Sequence, residues 1–257
     1  MRYFLVDAFT DELFKGNQAG VCLLEEWLPD DVLQKIAFEN NLSETAFVIK
    51  CESSYDLRWF TPTVEVDLCG HATLASAFVI FNFVDICESV VRFKTKSGLL
   101  TVEKKDGLYE MDFPSRPPAP VELTPQMSDA IGIQALEAHL SRDLILLLEN
   151  EQQVQNLAPD FDKIFKLGHF AVVVTAKGDK ADFVSRFFTP RGGVPEDPVT
   201  GSAHSSLIPF WAARLNKNKM VARQLSKRGG TLFCKNRGDR VKIAGHAVLF
   251  MQGEIKL

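Results

Sequence analysis

The chain contains 257 residues, with 29 Lys and Arg against 33 Asp and Glu, so its formal net charge is -4. A hydrophobic content of 46% and a charged content of 24% are typical of globular proteins and exclude disordered and fibrous classes. The slight acidity argues against non-specific nucleic-acid binding, which needs a basic face. The length permits one large domain or two of about 125 residues, each with its own core.

The sequence shows no sign of a membrane span, a signal peptide or a metal site. The longest apolar run, 74–83, is shorter than the ~20 residues of a membrane helix and contains Ser76 and Asn82. The N-terminus, with one basic residue and Asp7, does not resemble a signal peptide. The five cysteines are widely spaced and the histidines lack metal-ligand spacing. We therefore expect a cytoplasmic protein with reduced thiols and no metal.

The first half is predicted to contain strands, two helices and a final meander. Its strands are apolar, β-rich stretches separated by Gly-containing turns. One helix starts with a Pro-Asp-Asp segment, and a longer one is apolar nearly all round, as expected of a buried helix. In chain order we predict strands at 2–9 and 21–24, a helix from 29, strands at 45–49 and 57–61, the buried helix 70–83, and the meander 90–93, 99–103 and 108–113.

A proline-rich segment separates the halves. Four prolines within 114–120 exclude a helix or a central strand, so we predict a linker there and two domains, 1–116 and 117–257. The second half repeats the earlier order. Its predicted elements are a helix at 124–131, a strand at 143–149, a short helix at 159–165, strands at 170–175 and 182–189, the apolar helix 201–215, and the meander 221–225, 231–235, 240–243 and 247–251.

A sequence echo supports an internal duplication. Residues 58–62 (Arg-Trp-Phe-Thr-Pro) match 186–190 (Arg-Phe-Phe-Thr-Pro) at four of five positions, a match expected about once by chance in such a chain. Further matches follow it, namely Val64 with Val194, Asp67 with Asp197, Gly70 with Gly201, and Ala72 with Ala203. We therefore predict an α+β protein of two similar domains.

Each echo lies directly before the long apolar helix of its half. A helix N-terminus presents N–H groups and partial positive charge, both of which favour a bound carboxylate. Glycine at that position lets the ligand approach the backbone closely. We predict that the domains face each other across a cleft, where Gly70 and Gly201 bind a small carboxylate.

The segment 69–73, Cys-Gly-His-Ala-Thr, is the first candidate for chemistry. His71 stands between small residues at a buried helix start, where it has little packing purpose, so a proton relay or hydrogen-bond donor is one interpretation. A helix start that happens to contain histidine is the other. Cys69 precedes the helix N-terminus, which favours its thiolate and a role as base; a buried inert cysteine is the alternative.

The segment 196–204, Glu-Asp-Pro-Val-Thr-Gly-Ser-Ala-His, is the second candidate for chemistry. Thr200 or Ser202 could simply cap the helix, with the acidic residues stabilising its dipole. Capping explains Asp197 less well, because Pro198 fixes its direction. A binding or catalytic role is the alternative interpretation.

Glu44 is the third candidate, at the start of an apolar strand. On local sequence alone, an exposed glutamate at a strand end is the favoured interpretation. The functional alternative is a carboxylate at the cleft mouth, desolvated enough to hold and move a proton near neutral pH.

The motifs together resemble those of the phenazine-biosynthesis PhzF-like isomerase family. They run in family order over the whole chain, at 7–10 (Asp-Ala-Phe-Thr), 14–21 (Phe-x-Gly-Asn-x-Ala-Gly-Val), 43–47 (Ser-Glu-Thr-Ala-Phe), 60–65 (Phe-Thr-Pro-x-x-Glu), 69–73 and 196–204. The resemblance implies a diaminopimelate-epimerase-like fold, in which each domain wraps a curved, barrel-like, mostly antiparallel sheet around one central helix. It also implies an isomerase that needs no cofactor and no metal, and that forms a homodimer.

The resemblance also implies residue roles. Glu44 would be the acid/base that moves a proton between carbons of a small carboxylate-bearing substrate. His71, Asp197 and Ser202 would hold the substrate's polar groups and assist the relay, while Gly70 and Gly201 would contribute backbone N–H groups.

Two alternatives to this function stay open. Related epimerases and racemases use paired cysteines at the two helix starts, whereas this chain has Cys69 and, near the second place, Thr200. An amino-acid racemase would therefore need a non-thiol partner for Cys69. A protein that binds small carboxylates without catalysis is the other alternative. We also expect the chain to be shorter than other members of the family, with trimmed loops where the substrate is selected.

Overall fold

The computed structural model describes all residues, 1–257, and groups them into two compact units. Unit 1 comprises Met1–Asp112 and Ala244–Leu257, and unit 2 comprises Phe113–Ile243. The predicted domains, 1–116 and 117–257, differ from these units mainly at the C-terminus. The last strand, β18 (Ala247–Glu254), pairs with the first, β1 (Arg2–Ala8), and this pairing brings the chain end back into unit 1.

Unit 1 contains two helices and most of the strands predicted for the first half. After β1 its elements are β2 (Asn17–Leu24), α1 (Asp30–Asn40), β3 (Glu44–Lys50), β4 (Tyr55–Phe60), β5 (Glu65–Val66), α2 (Gly70–Phe83), β6 (Val90–Thr95), β7 (Gly98–Lys105) and β8 (Leu108–Pro114). The helix predicted from Pro29 is α1, with Pro29 as its N-cap and two aspartates in its first turn.

Unit 2 has more and shorter helices. Its elements are β9 (Ala119–Val121), α3 (Pro125–Ile131), β10 (Glu137–Leu140), β11 (Leu144–Leu147), α4 (Glu151–Gln155), α5 (Phe161–Lys166), β12 (Val172–Lys177), β13 (Phe183–Thr189), a 3-10 turn (Pro190–Gly192), β14 (Val194–Asp197), α6 (Gly201–Leu215), β15 (Lys219–Gln224), β16 (Gly230–Asn236) and β17 (Arg240–Gly245). None of the helices of either unit is long and apolar enough to cross a membrane.

The two units repeat one pairing plan, which confirms the α+β fold of two similar parts. In unit 1, β1–β2, β3–β4, β4–β5 and β6–β7 pair antiparallel, while β2–β3 and β4–β6 pair parallel. In unit 2 the strands β10 to β16 repeat this order, with the same directions at each step. Antiparallel pairs therefore predominate in both sheets.

Each sheet curves around one buried helix. Helix α2 packs against β1, β2, β3, β6 and β7, strands drawn from most of its sheet. Helix α6 packs against β15 and β16, and its Trp211 stacks on Phe183 of β13 and donates to Thr175 of β12 at 2.9 Å. Because the sheet surrounds them, both helices are apolar on most sides rather than amphipathic.

The proline-rich segment is not a simple linker. Ala119–Val121 forms the edge strand β9, in which Pro120 lies opposite His139 of β10. Proline lacks an N–H donor and is tolerated only where one side of a strand is unpaired, so the short exposed strand escapes a pattern analysis. Strand β10 was missed because it comprises only four residues.

The repeated Arg-x-Phe-Thr-Pro segment has the same ion pair in both units. Arg58 donates to Glu65 at 2.7 and 2.9 Å, and Arg186 donates to Glu196 at the same two distances. All four side chains are at most 20% exposed. The Arg58 guanidinium holds the pKa of Glu65 down to about 2. These bidentate pairs tie β4 to β5 and β13 to β14, directly before the central helices.

The strand register corrects one pairing of the echo. Asp197 lies opposite Phe187, and in unit 1 the corresponding partner of Trp59 is Val66, so Asp197 corresponds to Val66 and not to Asp67. From Pro to Glu the chain advances three positions in unit 1 and six in unit 2, because unit 2 inserts the 3-10 turn there. Cys69 and Thr200, which directly precede α2 and α6, are therefore equivalent positions in the two units.

Removing one arginine of the duplicated ion pair should destabilise the fold. Arg58→Ala or Arg186→Ala leaves a largely buried carboxylate without its guanidinium, and we expect the free energy of unfolding to fall by about 2 kcal/mol or more. Arg92→Ala, on the exposed face of β6, should change it by less than about 0.5 kcal/mol. Urea unfolding measures all three, and a wild-type midpoint for Arg58→Ala would contradict this role.

Candidate active site

The residues singled out from the sequence fall into two groups, one in each unit. In unit 1, Glu44 begins β3 and His71 is the second residue of α2. The His71 Nε2 and Glu44 Oε2 atoms are 3.2 Å apart, and the side chains are 5% and 20% exposed. The structure thus brings together a carboxylate and an imidazole that are 27 positions apart in the sequence.

Burial determines the charge of the imidazole. Desolvation lowers the pKa of His71 to about 4, against the opposing effect of a hydrogen bond to the Gln18 backbone. The ring is therefore neutral at pH 7. A neutral imidazole can donate from Nε2 to an ionised carboxylate, or accept there from a protonated carboxyl, depending on its tautomer. His71 can accordingly face Glu44 in either of its protonation states.

The opposite ring nitrogen has partners of its own. His71 Nδ1 lies 3.2 Å from Nδ2 of Asn17, the first residue of β2, and 3.5 Å from Sγ of Cys69. Thiol, imidazole and carboxylate therefore follow one another in a row. Such a row is suited to moving a proton between its ends through the ring.

Glu44, Cys69 and His71 also carry ligand atoms close enough together to suggest a metal site. One ligand atom from each of Glu44, Cys69 and His71 lies within 4.8 Å of the others. The thiol and the carboxylate, however, approach different nitrogens of one ring. A single ion cannot take both contacts as they stand, so this arrangement favours proton transfer over metal binding.

In unit 2, Asp197 ends β14 and is tied to the start of α6. The Thr200 hydroxyl donates to its carboxylate in a short hydrogen bond. The buried amide of Gln224 donates to the Asp197 carbonyl at 2.7 Å and accepts from the Thr200 N–H at 2.9 Å. The polar groups of this turn are thereby satisfied within unit 2, and the direction of Asp197 is fixed.

The capping interpretation of Thr200 and Ser202 is wrong. No side chain caps α6, because the Thr200 hydroxyl is used by Asp197 and Ser202 Oγ accepts from Arg142 at 3.1 Å. No side chain caps α2 either. Gly70 and Gly201 are the first residues of the two helices, as the echo predicts. Uncapped first turns at equivalent places leave backbone donors for an anionic ligand.

A further equivalence lies one turn into each helix. The Thr73 hydroxyl donates to the carbonyl of Cys69 at 2.6 Å, and the His204 ring bonds the carbonyl of Thr200 at 2.8 Å from Nδ1. His204 is fully buried, and desolvation lowers its pKa to about 4. His204 is therefore a neutral structural residue at the position that threonine takes in unit 1.

Three site residues escaped the sequence analysis. Asn17 lies in the family-like motif 14–21, but the motif alone does not indicate a role for its side chain. Gln224 is a polar residue at a fully buried strand position, a signal that alternation of apolar and polar residues could have revealed. Arg142 follows a short strand that was itself missed, so nothing in the pattern placed it beside Ser202.

Two repeated units, each a curved sheet around one central helix, form a fold that known epimerases share. A hydroxyproline epimerase from Agrobacterium vitis has this fold, with a TM-score of 0.65 at 10% identity over 98% of this chain and 91% of that one. At so low an identity, the likeness concerns the fold alone.

The family is narrower than the fold. Residues 6–253 match the model of the phenazine biosynthesis-like protein family, PhzC-PhzF, and the chain belongs to this family. A PhzF-family structure from Enterococcus faecalis has a TM-score of 0.98 at 50% identity, covering 100% of this chain and 99% of that one. An uncharacterized isomerase of Pseudomonas aeruginosa is 49% identical over 99% of this chain and 98% of its own length, so no shortening is seen against it.

The buried histidine of α6 should make stability depend on pH. Because the pKa of His204 is about 4 in the folded state and near 6.5 when unfolded, the unfolded chain binds more protons between these values. Stability should therefore be full above pH 6.5 and fall toward pH 4, by on the order of 3 kcal/mol from this residue. His204→Gln should show a shallower slope in urea unfolding across this range. An unchanged slope would contradict a neutral His204.

Proposed function

We propose that this protein is a cofactor-independent isomerase that moves a proton between carbons of a small carboxylate-bearing molecule, with Glu44 as acid/base. The observation that carries the proposal is the 3.2 Å contact between Glu44 and the buried, neutral His71. Membership of a family with relatives named isomerases supports the reaction class.

The proposed reaction begins with removal of a proton. The Glu44 carboxylate takes it from a carbon next to an unsaturated or carboxylate-bearing group, and the electron pair of the broken C–H bond enters the conjugated system. The resulting carboxyl then returns the proton to another carbon of that system. Atoms and electrons balance without an oxidant or a second reactant, and Glu44 ends as it began.

His71 has a supporting role in this scheme. The Asn17 amide can only donate to Nδ1, so Nε2 carries the ring hydrogen and donates to Glu44. Once one oxygen of the carboxyl holds the substrate's proton, the other oxygen still accepts from Nε2. A charged imidazolium would instead hold the carboxylate in an ion pair and weaken it as a base. The low pKa that burial gives His71 is therefore useful to the proposed chemistry.

The two helix starts and the polar residues of unit 2 supply the substrate's other contacts in this proposal. Gly70 and Gly201 offer N–H groups at the helix starts, where partial positive charge stabilises the negative charge that develops on the substrate. Ser202 and Asp197 would hold its polar groups. The homodimer implied by the family resemblance stays a prediction.

A racemase that uses Cys69 is the second candidate. It is favoured by the 3.5 Å approach of the Cys69 thiol to His71 Nδ1, which links the thiol to the same ring. The residue equivalent to Cys69 is Thr200, whose hydroxyl donates to Asp197, so a symmetric pair of thiols is missing. A carboxylate-binding protein without catalysis is a third possibility, and the buried Glu44–His71 pair gives such a protein no advantage.

Replacing Glu44 by Gln should abolish carbon-bound proton exchange. We expect the wild-type protein, in D₂O with a panel of cyclic and linear carboxylates and amino acids, to introduce deuterium into at least one of them. Glu44→Gln should lower that rate by at least about 10²-fold, as removal of a general base does, while folding stays intact. Glu39→Gln, on the exposed face of α1, is the matched control. Proton NMR follows the exchange.

The outcomes of this exchange experiment differ clearly. Retained exchange by Glu44→Gln would remove Glu44 as the base. Carboxylates that bind the wild-type protein without exchanging any proton would favour a binding protein.

Cys69→Ala separates the isomerase from the racemase. If Glu44 carries the proton, the variant should keep deuterium exchange within about tenfold of wild type, since the thiol contacts His71 only at its far nitrogen. If Cys69 is the base, exchange at an amino-acid α-carbon should disappear. Cys22→Ala, at another buried cysteine of unit 1, controls for the loss of a buried thiol. Loss of exchange in Cys69→Ala alone would favour the racemase.

A further inference from the structure

The turn between β10 and β11 lies against the first turns of α6. Ser141 and Ser206 are joined by a 2.7 Å hydrogen bond between their hydroxyls, and Arg142 Nη2 donates to Ser202 Oγ at 3.1 Å. Ser202 and Ser206 are one helical turn apart and share a face of α6. The turn is therefore fixed to the helix at two successive positions, and Arg142 is held at the helix start.

A buried carboxylate fixes the direction of the Arg142 guanidinium. Nε and Nη2 donate to the two Asp143 oxygens at 3.0 and 2.8 Å. The Asp143 side chain is 3% exposed, whereas that of Arg142 is 35% exposed. The pair is neutral as a whole, but the part that a ligand can reach is the cation. The guanidinium also lies 5.4 Å from the ring centroid of Phe170, which is half exposed.

The hydrogen bond from Arg142 determines what Ser202 can bind. A guanidinium only donates, so Ser202 Oγ must be the acceptor in this contact. The hydroxyl hydrogen of Ser202 is left to donate, and no hydrogen bond to the protein takes it. A ligand at Ser202 must therefore present an acceptor atom, and the exposed cation beside it favours an anionic one.

We propose that Arg142 is a positioning residue that makes this part of unit 2 selective for a carboxylate over its neutral isostere. It directs the Ser202 hydroxyl outward and places a fixed positive charge beside it. The proposal rests on the proposed function, because it takes the bound carboxylate to be part of the substrate.

Binding of benzoate and of benzamide, its neutral counterpart, tests the proposal without any need for turnover. Titration of the nitrogen-15-labelled protein should shift the backbone amide signals of Gly201 and Ser202 with benzoate, and benzamide should bind at least about tenfold more weakly. Arg142→Ala should weaken benzoate by about tenfold or more and leave benzamide unchanged. Guanidinium chloride, compared with sodium chloride at equal ionic strength, should restore part of the benzoate binding to this variant.

Two further variants keep the test decisive. Arg142→Lys retains the charge without the bidentate fork and should lose part of the preference, which covers the case in which Arg142→Ala does not fold. Arg223→Ala removes an exposed arginine of β15 and should bind both probes as wild type does.

The proposal is overturned by three results. These are wild-type binding of benzoate by both Arg142 variants, an equal loss of both probes with no rescue by guanidinium, and absence of any benzoate shift at Gly201 and Ser202 in the wild-type protein. Because the readout is binding, failure of Glu44-dependent exchange would overturn the proposed function and leave this result standing.

Discussion

The contact between Glu44 and His71 depends on one physical constraint, the removal of the imidazole from water. Burial at the start of α2, beside Gln18 of β2, keeps His71 neutral, with its pKa near 4, although a carboxylate lies 3.2 Å from its Nε2. A solvated histidine would be charged for part of the neutral pH range and would bind that carboxylate as an ion pair. The neutral ring instead donates from Nε2 without a formal charge, so no ion pair holds Glu44 in its ionised form.

The duplicated fold supplies the scaffold for this constraint. The same strand order surrounds α2 and α6, and the same bidentate Arg–Glu pair precedes each helix. The two helix starts have nevertheless diverged. Unit 1 presents the Glu44–His71 contact next to Cys69, whereas unit 2 presents Asp197, which accepts from Thr200, and Ser202, which accepts from Arg142. A common framework thus positions groups suited to proton transfer in one unit and to binding in the other.

The duplicated fold could be predicted from the sequence, whereas the contacts of the site residues could not, and both outcomes have physical reasons. The long apolar helices and the echo before them reveal the duplication, because burial on all sides and repeated turn residues leave a local pattern. Glu44 shows no such pattern, because its partner His71 is 27 positions away. Its local sequence favoured an exposed glutamate, and only the family resemblance implied the role of acid/base. Capping by Ser202 stayed open as one interpretation because the donor that occupies its oxygen, Arg142, comes from a turn 60 residues earlier. Contacts of this kind depend on tertiary packing and not on local propensity.

The most direct test of the account is the charge of His71, read from the nitrogen-15 shifts of its two ring nitrogens as a function of pH and assigned with the His71→Gln variant. We predict a neutral ring at pH 7, with one protonated and one bare nitrogen, and no titration near pH 6.5. A doubly protonated ring at pH 7 would show that Glu44 is held as the ionised half of a buried ion pair. That result would contradict the assignment of Glu44 as the group that carries the proton.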